Sequence, residues 1–81
     1  MIVRLSELNV GQKAKIIKIR SGSPIKRRLL EMGIEPGAII KIERIAPLGD
    51  PIEVIVKGYY LSLRRNEANE IYVEVIENEA Y

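Results

Sequence analysis

The stretch LLEMGIEPGAII, residues 29–40, sets two glycines and a proline between two apolar runs. It is either a glycine loop that cradles a phosphate or a joint where a helix becomes a strand. Immediately upstream, SGSPIKRRLLEMG carries the punctuation of a short helix: Ser23 at the N-cap, Pro24 at the first helical position and Gly33 just past the end. Ile25, Leu29 and Met32 recur at i, i+4 and i+7, so they share the face that should enter the core. With Gly33 at the left-handed C′ position, Ile34 becomes C″ and Leu29 becomes C3, the pair that touches in a Schellman ending. Glu35-Pro36-Gly37-Ala38 then fits a type II turn, proline second and glycine third. Both glycines thus have backbone work to do. A phosphate loop also runs strand, glycines, helix, whereas here the helix comes first and turns its negative end toward the loop. The order of elements favours a joint.

Working outward, RLSELNVGQ reads as one helical turn capped by Ser6 and stopped before Gly11. KAKIIKIR, residues 13–20, has strand composition with one break in its alternation, which a bulge near Ile16 and Ile17 would explain. After the joint, AIIKIERIA alternates as a strand, and APLGDP makes a turn in which Pro47, Gly49 and Asp50 suit local geometry. PIEVIVK places Ile52, Val54 and Val56 on one face, Lys57-Gly58 breaks the run, and YYLSLR places Leu61 and Leu63 together. RRNEANE suits a single helical turn, and IYVEVIE aligns Ile71, Val73 and Val75. The pattern predicts a mainly β chain: a small five-stranded antiparallel barrel with one short helix inserted after the first strand. The four-residue echo IIKI, at 16–19 and 39–42, is shared strand chemistry and too short to signal a repeat.

With 81 residues the chain has room for a single domain and one small core. Its 47% hydrophobic and 30% charged residues are those of a globular protein, and the wealth of Ile, Val and Leu beside four Tyr, with no Phe or Trp, favours strands. No run approaches the ~18 apolar residues of a membrane helix, and MIVRLSEL is charged too early for a secretory signal. Together with the lack of Cys this predicts a reducing, cytoplasmic setting. Charge is uneven: residues 1–50 hold ten basic and five acidic side chains, net +5, and residues 51–81 hold three and six, net −3. A modestly basic half suits an acidic protein, a phosphate backbone or a membrane surface, although a solvated mixed surface is the simpler account.

Catalysis needs a positioned base, nucleophile or metal, and the chain has neither His nor Cys. The carboxylates Glu31, Glu35 and Glu43 are scattered, and Asp50 sits in a turn. An all-oxygen metal site would suit Mg²⁺ or Ca²⁺, and no calcium-loop spacing is present. No catalytic residue, metal ligand or cofactor is expected. The run Lys26-Arg27-Arg28 could meet phosphates, but base-stacking platforms are limited to Tyr59, Tyr60, Tyr72 and Tyr81. A groove for PxxP peptides is likewise poorly served without Trp or Phe. Protein binding is the expectation that remains, with a small basic nucleic-acid-binding barrel as its alternative.

Several pieces in fixed order carry a resemblance: the LSEL-x-x-G opening, the RRLLEMGIEPG joint, the PLGDP turn, and GYYLSLRRNEA followed by IYVEV. Over nearly its whole length the chain resembles the FeoA family of ferrous iron transport accessory proteins. The resemblance implies an SH3-like barrel and a non-enzymatic cytosolic protein, monomer or weak oligomer. It also implies action with the membrane permease FeoB, whose cytosolic part includes a GTP-hydrolysing domain, so that contact with the membrane is only indirect. Transition metal binding is a property named at family level. Related SH3-like domains form the C-terminal modules of iron-dependent repressors, so a stand-alone relative of those modules is a further alternative, expected to lack the DNA reader because no helix-turn-helix precedes the barrel in this sequence.

Carried over position by position, the joint at Lys26, Arg27, Arg28, Leu30, Met32 and Gly33 is where a partner is expected to dock. Leu30 lies off the Ile25–Leu29–Met32 face, so it either broadens the buried stripe or stays partly exposed beside Arg27. Gly33, Pro36, Gly37, Gly49, Asp50 and Gly58 are expected to shape turns. Tyr59 and Arg64 belong to the other shared motifs, where strand packing would also account for them.

Overall fold

A computed structural model of the chain describes the backbone of residues 1–78 and the side chains of residues 1–76. In chain order it contains β1 (Ile2–Arg4), a 3-10 turn (Leu5–Glu7), β2 (Gln12–Ile19), α1 (Lys26–Glu31), β3 (Ile39–Ile45), β4 (Ile52–Val56), β5 (Tyr59–Leu63), α2 (Arg65–Ala68) and β6 (Ile71–Asn78). The strands form one antiparallel sheet in the order β1-β6-β2-β3-β4-β5. The mainly β, SH3-like architecture agrees with the pattern in the sequence, and three details differ. There are six strands, because Ile2, Val3 and Arg4 pair with Glu74, Val73 and Tyr72 of β6. The helix accordingly follows the second strand. Finally, the sheet is open: among the described residues no ladder joins β1 to β5. Its two edges meet through the turns that follow them, where Arg65 Nη1 donates to the Ser6 carbonyl at 2.9 Å and Ser6 Oγ bonds Asn69.

The strands form for the reasons their alternation suggests. Ile52, Val54 and Val56 of β4, Ile40 and Ile42 of β3, and Ile71 and Val73 of β6 all point into one core. Each such side chain contributes roughly 1.5–3 kcal/mol when fully buried. In β2 the register passes from Ile16↔Val73 to Lys18↔Tyr72, so Ile17 is the extra residue of a bulge. That bulge lets Ile16 and Ile19, three apart, both face inward.

Two helix starts differ from the sequence expectation. The 3-10 turn is capped by Glu7, whose Oε2 accepts the Arg4 amide at 2.8 Å, and Ser6 is inside it. Helix α1 begins at Lys26 with Ile25 as its N-cap, later than Ser23 and Pro24 suggest. The cause is tertiary: Ser23 Oγ donates to Glu70 Oε1 at 2.6 Å, and the Ser23 carbonyl accepts the Lys26 amide in a turn ahead of the helix.

Candidate functional site

The C-terminal end of α1 is fixed by backbone geometry. Ile34 N donates to Leu29 O and Gly33 N to Leu30 O, each at 3.0 Å, with Gly33 at φ +92°. This is the 6→1 and 5→2 pairing of a Schellman motif, and Leu29 and Ile34 are both fully buried. Ala38 N then donates to Glu35 O at 3.1 Å, closing the turn through Pro36 and Gly37. Across from the joint, β4 and β5 are linked by Lys57 and Gly58, both at positive φ, as a two-residue type I′ hairpin requires. The hairpin holds the joint in two places. Tyr59 Oη donates to Met32 O at 2.6 Å, and Lys57 pairs with Glu35. A Cβ at Gly33 would lie 2.5 Å from Tyr59 Oη, so this position needs glycine for space as well as for φ.

Around α1 the side chains divide. Leu29 is buried, with Ile25 and Met32 packed against the core beside it. Leu30 is 37% exposed and lies outside that cluster. It projects with Lys26 and Arg27, which are also exposed; Arg27 forms only a loose i,i+4 pair with Glu31 at 3.9 Å. Arg28 turns toward α2, where its Nη1 lies 2.6 Å from Glu67 Oε2. Of the six joint residues, Lys26, Arg27 and Leu30 therefore form an outward face. Arg28, Met32 and Gly33 have partners or tight neighbours inside the chain.

Glu67 and Glu70 are the residues that the sequence did not single out. Glu67 is 5% exposed, and its Oε1 accepts the Arg64 amide at 2.8 Å while Oε2 meets Arg28. One buried carboxylate thus holds the Arg28 guanidinium and the Arg64 backbone. Glu70 accepts Arg20 through two bonds, Nε at 3.0 Å and Nη2 at 2.9 Å, and also the Ser23 hydroxyl. The bond from Arg20, then that from Ser23, holds the Glu70 carboxyl below the ordinary carboxylate range, and Glu70 in turn raises the Arg20 guanidinium. A local signal existed for Glu67: Arg64-x-x-Glu67 repeats the spacing of Arg4-x-x-Glu7, in which the glutamate at N3 reaches back to the N-cap amide.

The remaining turn residues work locally. Arg65 Nε donates to Gly49 O at 2.8 Å and its amide to Asp50 Oδ1 at 3.0 Å, which ties the β3–β4 turn to α2. Gly49 N closes that turn on Ala46 O at 2.7 Å. The tyrosines do not assemble into one platform. Arg4 and Lys18 lie over the Tyr72 ring, Tyr59 is bonded to Met32, Tyr60 is exposed, and Tyr81 lies outside the described residues. Among the described residues there is no cluster of three or more acidic side chains suited to a cation, and no helix long and apolar enough to cross a membrane.

Comparison with known proteins gives a consistent result. The model of the FeoA domain matches residues 3–75. A curated relative, the Fe(2+) transport protein A/Fe(2+) transporter FeoB fusion protein of Porphyromonas gingivalis, is 40% identical over 78 residues, 96% of this chain. The chain spans about 9% of that fusion protein's length. Among solved structures, the FeoA-like protein of Clostridium acetobutylicum superimposes with a TM-score of 0.91 at 41% identity, covering 99% of this chain and 93% of that one. FeoA of Stenotrophomonas maltophilia, a prokaryotic SH3 domain protein solved with zinc, gives a TM-score of 0.78 at 29% identity and covers 89% of both chains.

Proposed function

Because this chain belongs to the FeoA family, linked to ferrous iron transport, we propose that it is a cytoplasmic, non-enzymatic accessory protein that binds the cytosolic part of a FeoB-type permease and modulates transport or its GTPase cycle. The observation that carries this is the fusion protein of Porphyromonas gingivalis, in which a segment like this chain is covalently joined to its transporter. Two modules made as one chain meet at a high effective concentration, an arrangement suited to partners that work together and bind each other weakly when separate.

The docking face is the outward side of α1. Leu30 offers an apolar centre, with Lys26 and Arg27 as a basic rim, on a helix whose end is locked by Gly33 and Tyr59. An apolar residue ringed by charge is the ordinary anatomy of a small interface. Met32 and Gly33 support that face from behind, and Arg28 borders it while paired with Glu67. With its roles confined to packing and contact, the chain acts on the permease by binding, and the hydrolytic chemistry stays with the permease.

The test is binding of the purified cytosolic domain of the cognate permease by the wild type and by Leu30→Glu and Arg27→Glu. Both substitutions are on exposed positions, so circular dichroism should show an intact fold. The expected result is a loss of affinity of about tenfold or more, the scale of one lost interface anchor. Unchanged affinity in both variants would remove α1 as the docking face.

A further inference from the structure

A hollow of about 250 Å³ opens between the start of α1 and the start of α2, walled by Ile25, Arg28, Arg64, Asn66, Glu67 and Glu70. Its charges do not cancel. Glu70 is engaged by Arg20 and Ser23, and Glu67 by Arg28 and the Arg64 amide. The lining holds two arginines and two glutamates, but Glu70 is already engaged by Arg20 from outside the hollow and Glu67 by Arg28, which leaves Arg64, whose side chain meets no carboxylate among the described residues. Arg28 spends one nitrogen on Glu67 and keeps the rest of its donor fork.

We propose that this hollow receives a single acidic side chain of the protein partner, its carboxylate held between Arg64 and the outer nitrogens of Arg28. The proposal rests on the reading that this chain docks a protein through α1, because Arg28 joins the hollow to that helix. The hollow, at about 250 Å³, has room for one acidic side chain. Charge selects the acid, since one uncommitted guanidinium balances one carboxylate and makes the strong, charge-assisted form of hydrogen bond. The Ile25 wall offers an apolar surface to the methylene stem of a glutamate. Glu67 is the positioning residue for Arg28, whose guanidinium it meets through Oε2, while its Oε1 holds the Arg64 backbone.

The experiment is an amide-shift titration of isotope-labelled protein with the blocked peptide acetyl-Leu-Glu-Leu-amide and with its Gln analogue, for the wild type and Arg64→Gln. The Arg64 amide, not its guanidinium, holds Glu67, so the variant keeps that bond and its fold. The expected result is that the Glu peptide shifts Ile25, Arg28, Arg64 and Asn66, with millimolar affinity that falls about tenfold in Arg64→Gln and with added salt. The Gln analogue should produce little. Equal shifts from both peptides, shifts confined to other regions, an unaffected Arg64→Gln, or no shift up to about 10 mM would each overturn the proposal. The permease domain separates this from the function proposed above. If the Glu peptide binds and the domain does not, the hollow stands and the permease reading fails. If the domain binds through Leu30 and Arg27 while the peptide does not, the hollow fails alone.

Discussion

The hydroxyl of Tyr59 donates to the carbonyl oxygen of Met32 at 2.6 Å, joining the β4–β5 hairpin to the last turn of α1. The two residues are 27 positions apart, and the contact fixes the end of the helix that carries the outward face. It also closes the space above Gly33, where any side chain would run into Tyr59. Helix α1 is therefore aimed by a strand from elsewhere in the sequence.

That contact predicts a coupled pair of substitutions. Tyr59→Phe should destabilise by about 0.5–1.5 kcal/mol, the net worth of a hydrogen bond. Gly33→Ala should cost more, roughly 1–3 kcal/mol from the left-handed φ alone, plus the clash. In the Tyr59→Phe background part of the clash is gone, so a double-mutant cycle in urea should return a coupling of at least about 0.5 kcal/mol. Additive losses would mean that the hairpin moves aside at no cost.

Leu29 and Leu30 are adjacent in sequence and opposite in environment. Leu29→Ala should cost about 2–5 kcal/mol as a core cavity. Leu30→Ala should stay within about 1 kcal/mol, as befits a half-exposed position outside the core cluster. Thermal melts of the two variants check the orientation of α1 directly, and similar losses would mean that Leu30 is part of the buried stripe.

Arg28→Ala is predicted to destabilise by about 1–3 kcal/mol, because it leaves the buried Glu67 carboxylate with the Arg64 amide as its remaining partner. Glu67→Gln in the same background should recover part of the loss, since a neutral amide costs less to leave unpaired. A stable Arg28→Ala would show that Glu67 draws its support elsewhere.

Much of this was legible in the sequence and some was not, for physical reasons. Ile25, Leu29, Met32 and Gly33 act locally, so spacing alone exposed the helix face and its ending. The strand at Ile2–Arg4 escaped notice because three residues carry no period, and its existence depends on β6, some seventy positions away. Ser23 lies in a turn ahead of the helix and not at its cap, with its hydroxyl donating to Glu70, 47 positions on, while it accepts the Ile25 amide at 3.4 Å. The internal partner of Arg28 was hidden for the same reason, since Glu67 comes from α2. The sheet stays open because no ladder joins β1 to β5 among the described residues, and long-range bonds of Arg65 that no local pattern announces tie its ends instead.

Glu70 predicts how stability depends on pH. Its carboxyl is lowered in the folded state, so its contribution is fully present above the unfolded carboxylate range, about pH 4.3, and is lost as pH falls through the lower folded value. Wild type and Glu70→Gln should therefore differ most in melting temperature near neutral pH and converge in acid. A gap that stays constant down to about pH 2 would contradict the Arg20–Glu70–Ser23 linkage.

We propose that the outward side of α1 docks the cytosolic part of a FeoB-type permease. The most direct test is an amide-shift titration of the labelled protein with that purified domain at physiological salt, first with GDP and then with a GTP analogue. Shifts concentrated on residues 25–37, with Lys26, Arg27 and Leu30 among the largest, are the expected result. Saturable shifts that spare α1, or a spectrum unchanged in both nucleotide states, would contradict it.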